Sequence, residues 1–220
     1  MSRVSPPRAV VFDLDGTLLD SLPLVLAAIA HAIEPYGARP TMDIFSHLGG
    51  PPERFMSGLV RDPAHVPDAL RRMESFHRDN EQLIQPFAGA AEMIARLAGA
   101  EVPIGVWTGR DRESTDRMLR RHGLDAAFGA VVCGDDLPTH KPDPEGLREI
   151  LRRLGAISDE AIYVGDADVD VLGGVAAGVD TLLIRHARTI FPPILSRAWR
   201  AVATPREAYE VVAQSLAGSS

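Results

Sequence analysis

Short apolar segments recur along this chain at intervals typical of strands that alternate with helices. The segments that predict strands lie at residues 9–12, 102–107, 130–133, 161–164 and 181–184. Amphipathic segments of helix length lie between most of them, at residues 113–122, 144–154 and 169–177, and each of these ends at a glycine suited to a helix C-terminus. Nearly continuous apolar strands that alternate with helices predict a parallel sheet with helices on both faces.

The alternation breaks between residues 20 and 87, where the pattern predicts helices without strands. The first strand precedes this interval and has pairing partners only after it, which favours an insert over a separate N-terminal domain. We therefore expect an α/β fold with a Rossmann-like, doubly wound parallel sheet core at residues 1–18 and 88–220. An all-helical cap domain is predicted at residues 19–87, with hinges near residues 18–21 and 85–89.

The C-terminal part gives two further expectations. Thr204 and Glu207 have the spacing of a capping box, which predicts a C-terminal helix after them. The role of residues 189–203 is left open: they could cover the edge of the sheet or contact a partner.

Composition narrows the class of protein. The chain has 220 residues, a net charge of −7 and a single cysteine, Cys133, which follows two valines as a small core residue would. These features exclude a disulfide framework and argue against a nucleic-acid partner. No segment has the pattern of a signal peptide or a membrane span. We expect a cytoplasmic protein, monomeric or homodimeric, with no membrane partner.

Polar residues follow four of the predicted strands at their carboxyl ends, where ligands gather in an open parallel sheet. They are Asp13, Asp15, Gly16 and Thr17, then Thr108 and Gly109, then Lys141 after a longer loop, and finally Asp166, Asp168 and Asp170. Among the 23 lysines and arginines, Lys141 is the only lysine. Several carboxylates beside a hydroxyl, an ammonium and accessible glycine amides predict a cation site next to an anion site.

Asp13 and Asp15 end a buried strand two positions apart, so an extended strand would point both carboxylates the same way. A divalent cation shared with Asp166 would offset their repulsion. Oxygen ligands without paired histidine or cysteine favour Mg²⁺ over zinc.

The segments "DLDGT" at 13–17, Thr108 after its strand, Lys141 in "HKPDP" and "GDADVD" at 165–170 resemble the ordered motifs of the haloacid dehalogenase superfamily. The long gap after the first motif is similar to the helical-cap subclass that contains phosphoglycolate phosphatase and β-phosphoglucomutase. The resemblance extends from about Ala9 to Arg185.

The resemblance implies a role for each motif residue. Asp13 would be the nucleophile that forms an aspartyl-phosphate, and Asp15 the general acid and base. Mg²⁺ would be held by Asp13, Asp166 and the backbone carbonyl of Asp15. Thr108, Gly109 and Lys141 would bind the phosphate. Gly16, beside Thr17, would let the backbone approach the phosphoryl group closely. Asp170 or, as an alternative, Asp168 would orient Lys141.

The implied function is Mg²⁺-dependent hydrolysis of a small phosphorylated metabolite, phosphoglycolate phosphatase-like. A phosphosugar mutase of the β-phosphoglucomutase type is the enzymatic alternative, and a non-catalytic phosphate-binding module is an alternative of another class. Arg54 in the cap and Arg110 beside Thr108 are candidates for contacting the substrate, although each is equally consistent with a surface arginine.

Overall fold

The computed structural model describes residues 6–37, 52–186, 188 and 190–216, but not the side chains of residues 52–55. Its strands are β1 (Ala9–Phe12), β2 (Leu19–Asp20), β3 (Gln85–Pro86), β4 (Ile104–Trp107), β5 (Ala130–Val132), β6 (Ala161–Gly165), β7 (Asp180–Ile184) and β8 (Arg200–Val202). Its α-helices are α1 (Leu22–Ile33), α2 (Pro52–Leu59), α3 (Val66–Asp79), α4 (Ala90–Gly99), α5 (Arg112–Arg121), α6 (Glu145–Leu154), α7 (Asp168–Ala177), α8 (Pro192–Leu195) and α9 (Pro205–Leu216). Single 3₁₀ turns lie at Glu34–Tyr36, Pro63–His65, Glu81–Leu83, Asp125–Ala127 and Ser158–Glu160.

The chain divides into two compact units. Met1–Leu19 together with Pro86–Ser220 form one, called here the sheet unit, and Asp20–Gln85 form the other, the helical unit. The chain passes between them through β2 and β3, which pair with each other.

Within the described residues, the main sheet has six strands in the order β5-β4-β1-β6-β7-β8, and every pairing is parallel. Strand β1 lies inside the sheet, with Val10 opposite Ile104 on one side and Ile162 on the other. Its four residues are fully buried, as a strand between two layers of helices requires. The order runs outward from β1 in both directions, which confirms the predicted doubly wound α/β fold.

Strand β8 covers the edge of the sheet beside β7, which is one of the two roles left open for residues 189–203. It pairs with β7 through Leu182 and Arg200, so part of this segment extends the sheet. A strand of three residues that begins with an arginine and lies at a sheet edge shows no apolar run, which is why the pattern missed it.

The helical unit has its own apolar core, contributed by α1, α2 with the residue that follows it, and α3. The buried residues of this core are Ile29, Ala32, Ile33, Met56, Val60 and Ala69. At its periphery the hydroxyl of Tyr36 donates to Asp68 across 2.6 Å. No helix in the described parts of the chain is both long enough and apolar enough to cross a membrane.

Candidate active site

Asp13 occupies the first position after β1, where its backbone N–H continues the sheet by donating to the carbonyl of Val164 at 2.8 Å. Its side chain is buried, and Oδ1 accepts a hydrogen bond of 2.6 Å from Nζ of Lys141. Burial raises the pKa of Asp13 well above its ordinary value, although the charge of Lys141 acts in the opposite direction. The protein thus holds the carboxyl group of Asp13 and the ammonium of Lys141 together in a buried site.

Lys141 is supported on several sides. Its Nζ also donates to Oδ1 of Asp170 at 2.7 Å and lies 4.9 Å from the ring centre of Trp107 and 5.4 Å from that of Tyr163. Burial alone would lower the pKa of Lys141, but Asp13 and Asp170 outweigh it and the pKa is raised. The ammonium therefore keeps its charge and has a fixed position.

Asp170 uses both carboxylate oxygens within the protein. Oδ1 accepts from Lys141 and from the hydroxyl of Tyr163 at 2.6 Å, whereas Oδ2 accepts from the backbone N–H groups of Asp166 and Ala167 at 3.1 and 2.9 Å. Asp168 is exposed at the start of α7. Of the two aspartates considered for orienting the lysine, Asp170 is the one that contacts it.

Asp166 lies at the end of β6, close to the turn that follows β1. A Cβ atom on Gly16 would lie 2.4 Å from Oδ2 of Asp166, and Gly16 has a φ of +79°, so only glycine fits there. Burial raises the pKa of Asp166 to about 7, and the neighbouring charge of Asp170 adds to this effect. The close approach brings the first and last sequence motifs together.

Two basic residues that the sequence reasoning missed also contact this region. Arg188 forms an ion pair of 3.1 Å with Oδ2 of Asp166 and also bonds to its carbonyl. Nε2 of His186 lies 2.7 Å from the carbonyl of Gly16, so we assign the proton to that nitrogen. Both residues follow β7, the fifth predicted strand, and reading the residues after that strand as the other four were read would have found them.

Asp15 has a separate cationic partner. Its Oδ2 accepts from Nε of Arg110 at 3.0 Å and its Oδ1 accepts from Nη2 at 2.5 Å. Nη1 of the same guanidinium donates to the hydroxyl of Ser114 at 2.8 Å. The two carboxylates of the first motif therefore have different cationic partners: Asp13 pairs with Lys141 and Asp15 pairs with Arg110.

Thr108 is buried directly after β4, and its Oγ1 accepts from the backbone N–H of Arg110 at 3.1 Å. A cavity of about 80 Å³ is lined by Thr108, Gly109 and Lys141, together with residues of the loop after β5. The predicted phosphate-binding residues thus line one concave surface. Thr17 is buried nearby, and its backbone carbonyl accepts from the hydroxyl of Tyr209 at 2.6 Å.

Arg54 belongs to α2, but its side chain lies outside the described residues.

The acidic cluster fits a divalent cation. Asp13, Asp166 and Asp170 each offer a carboxylate oxygen, and these oxygens lie within 4.8 Å of one another. Burial and mutual repulsion raise the pKa of both Asp13 and Asp166, a cost that a bound cation would offset. Because Asp170 is already engaged by four donors, Asp13 and Asp166 are the better ligands.

These features define a class: an α/β enzyme whose parallel strands gather aspartates, a threonine and a lysine at their carboxyl ends. The family model for haloacid dehalogenase-like hydrolases matches residues 10–184. The chain belongs to this family, and it is a phosphatase of the haloacid dehalogenase type.

Similar proteins support this placement. The pyrophosphatase PpaX of Halalkalibacterium halodurans is 33% identical over 183 residues, which is 82% of this chain and 84% of that protein. A Thermotoga maritima structure described as a candidate β-phosphoglucomutase has a TM-score of 0.76 and 26% identity, covering 94% of this chain and 98% of that one. A subfamily IA hydrolase of Geobacter sulfurreducens has a TM-score of 0.72 and 27% identity, covering 96% and 100%.

Proposed function

We propose that this protein is a Mg²⁺-dependent phosphomonoesterase that acts on a small phosphorylated metabolite through an aspartyl-phosphate. The observation that carries the proposal is the position of Asp13, whose carboxylate lies at a strand end against Lys141 and beside Asp166. A buried carboxylate with a fixed ammonium next to it is suited to attack a phosphoryl group whose oxygens need positive charge. We assign residues 19–87 as the cap and the rest as the catalytic core.

In the proposed reaction, a carboxylate oxygen of Asp13 forms a bond to phosphorus while the bond from phosphorus to the leaving oxygen breaks. Asp15 gives its proton to that oxygen. Asp15 then takes a proton from water, whose oxygen attacks phosphorus and releases phosphate from Asp13. Thr108, the backbone of Gly109 and Lys141 bind the phosphoryl oxygens, and Asp170 with Tyr163 keeps Lys141 in place.

Asp13, Asp166 and the backbone carbonyl of Asp15 are the ligands proposed for Mg²⁺. The ion would supply positive charge to the phosphoryl group and to the two carboxylates. A small ion that keeps several waters needs only a few protein oxygens, which agrees with the engagement of Asp170 by the protein itself.

Hydrolysis of p-nitrophenyl phosphate with Mg²⁺ tests the proposal. The wild-type protein should hydrolyse it, and Asp13→Asn should not. Asp168→Asn is the matched control, because Asp168 is an exposed aspartate of the same strand-to-helix segment as Asp166. Inactive wild-type protein, or equal activity in Asp13→Asn, would overturn the proposal.

The similar proteins suggest candidates for the substrate and for a second type of reaction. Relatives named pyrophosphatase make pyrophosphate a candidate alongside 2-phosphoglycolate. The similarity to the Thermotoga maritima structure keeps a phosphosugar mutase as a second candidate function. Product analysis with β-glucose 1-phosphate separates a mutase from a phosphatase. A mutase forms glucose 6-phosphate from it, whereas a phosphatase forms glucose and phosphate.

A further inference from the structure

The turn of residues 14–19 follows β1 and carries Asp15, and its backbone closes on itself. The N–H groups of Leu18 and Leu19 both donate to the carbonyl of Leu14, each at 2.9 Å. These bonds fix the shape of the turn, whereas its place in the sheet unit depends on contacts with other segments.

One such contact comes from Tyr209 in the C-terminal helix α9. Thr17, in the middle of the turn, is fully buried, and its Oγ1 has no hydrogen-bond partner within the described residues. Its backbone carbonyl, however, accepts from the hydroxyl of Tyr209 at 2.6 Å, across 192 positions of the chain. Burial raises the pKa of Tyr209 above its ordinary value, so the hydroxyl keeps its proton and remains a donor. Because a buried carbonyl is costly to leave without a donor, this bond ties the turn to α9.

The ring of Tyr209 also packs on the segment through which the chain re-enters the sheet unit. A Cβ atom on Gly89 would lie 3.4 Å from Cδ2 of Tyr209, so the ring lies at contact distance over this glycine. The two connecting segments are joined to each other as well, since the N–H of Phe87 donates to the carbonyl of Leu18 at 2.9 Å. Tyr209 therefore contacts the sheet unit at both places where the chain leaves and re-enters it.

The position of this turn matters for the proposed reaction. A displaced turn would carry Asp15 with it and would change the close approach of Gly16 to Asp166, where an added Cβ atom would lie 2.4 Å from Oδ2. Thr108 and Lys141, which we propose to bind the phosphoryl oxygens, follow other strands and would stay in place. A loosened turn should therefore slow phosphoryl transfer more than it weakens substrate binding.

We propose that Tyr209 is a positioning residue, whose hydroxyl holds the turn of residues 14–19 so that Asp15 stays in place for phosphoryl transfer. This inference rests on the proposed phosphatase function and assigns a role in it to the C-terminal helix, far from the reacting groups along the chain.

Tyr209→Phe tests the proposal, because it removes the donor and keeps the ring over Gly89. Hydrogen exchange followed by peptide mass spectrometry should show roughly tenfold faster exchange in the turn of residues 14–19, the size expected for one lost hydrogen bond to a buried carbonyl. Exchange in β6 should equal that of wild type. With p-nitrophenyl phosphate and Mg²⁺, kcat should fall by about tenfold, whereas KM should change by less than about twofold.

Two control variants in α9 separate positioning from a general loss of stability. Val212→Ala removes packing from a fully buried position of the same helix, so it should lower Tm at least as much as Tyr209→Phe does. Ser215→Ala removes a hydroxyl that donates within the helix, to the carbonyl of Val211 at 2.8 Å. Both controls should keep the kcat of wild type and its exchange rates in the turn.

The outcomes distinguish the positioning role from the proposed function. If Tyr209→Phe leaves kcat or exchange in the turn unchanged, or if Val212→Ala lowers kcat equally, the positioning role is wrong and the proposed phosphatase function stands. If wild-type protein with Mg²⁺ does not hydrolyse p-nitrophenyl phosphate, the proposed function fails and the positioning role fails with it.

Discussion

The indole of Trp107 is confined between two glycines, and we predict that Gly146→Ala will disturb both the fold and the support of Lys141. A Cβ atom at Gly146 would lie 2.2 Å from Nε1 of the indole, and one at Gly173 would lie 2.6 Å from its far edge. The ring is 3% exposed and cannot move away from the new methyl group without meeting Gly173. Lys141 lies over the same ring, so a displaced indole also displaces its ammonium.

The expected magnitude combines two opposing contributions. Alanine in place of glycine in α6 gains about 1 kcal/mol in helix propensity. Overpacking of a core costs about 1–3 kcal/mol, and confinement of the ring on both sides places Gly146→Ala near the upper end. The free energy of unfolding should therefore fall by about 2 kcal/mol, which lowers Tm by roughly 4–8 °C for a domain of this size.

Urea unfolding followed by tryptophan fluorescence measures this effect in the sheet unit, because the two tryptophans of the chain, Trp107 and Trp199, both belong to it. Gly99→Ala is the matched control, since a Cβ atom at this helical glycine has no neighbour within 4 Å. That variant should be as stable as wild type or more stable by up to about 1 kcal/mol. Equal stability of Gly146→Ala and Gly99→Ala would refute the reasoning.

Further predictions follow from individual contacts. Burial raises the pKa of the Cys133 thiol from 9.0 to about 11. At pH 8 the folded protein should therefore carry about 100-fold less Cys133 thiolate than the protein unfolded in urea, and should react far more slowly with iodoacetamide. Equal reaction rates of the folded and unfolded protein would contradict this. Tyr163→Phe removes the 2.6 Å hydrogen bond to Asp170 and should cost about 1.5–3 kcal/mol of unfolding free energy in urea titrations; wild-type stability would show that the bond contributes nothing. Added Mg²⁺ should raise the Tm of wild type in differential scanning fluorimetry but not that of Asp166→Asn, and an equal rise in both would exclude Asp166 as a ligand.

Lys141 illustrates how the sequence could predict which residues meet at the site. It lies 128 positions from Asp13, yet the two side chains are hydrogen bonded. Parallel strands all end at the same edge of a sheet, so residues that follow different apolar runs are brought together whatever their separation along the chain. Strand positions, together with the longer loop that brings Lys141 close to the start of the next helix, were enough to group them.

The directions in which the Arg110 and His186 side chains point illustrate what this reasoning could not supply, even where the position of a residue after a strand could be read. Both residues lie in loops, where no period of two or 3.6 residues fixes the direction of a side chain. The sequence suggested Arg110 as a substrate contact, and the structure places its guanidinium on Asp15. The direction of a loop side chain depends on local hydrogen bonds, such as those from Arg110 to Thr108 and Ser114, that appear only once the backbone is built.

The central claim is that Asp13 becomes covalently phosphorylated, and chemical trapping tests it most directly. Wild-type protein turning over 2-phosphoglycolate or p-nitrophenyl phosphate with Mg²⁺ is quenched in acid and treated with borohydride, which reduces an acyl phosphate to an alcohol. Peptide mass spectrometry should then find homoserine at position 13, and only in samples that contained substrate. Sustained turnover with unmodified Asp13, or with the reduced residue at another position, would contradict the account.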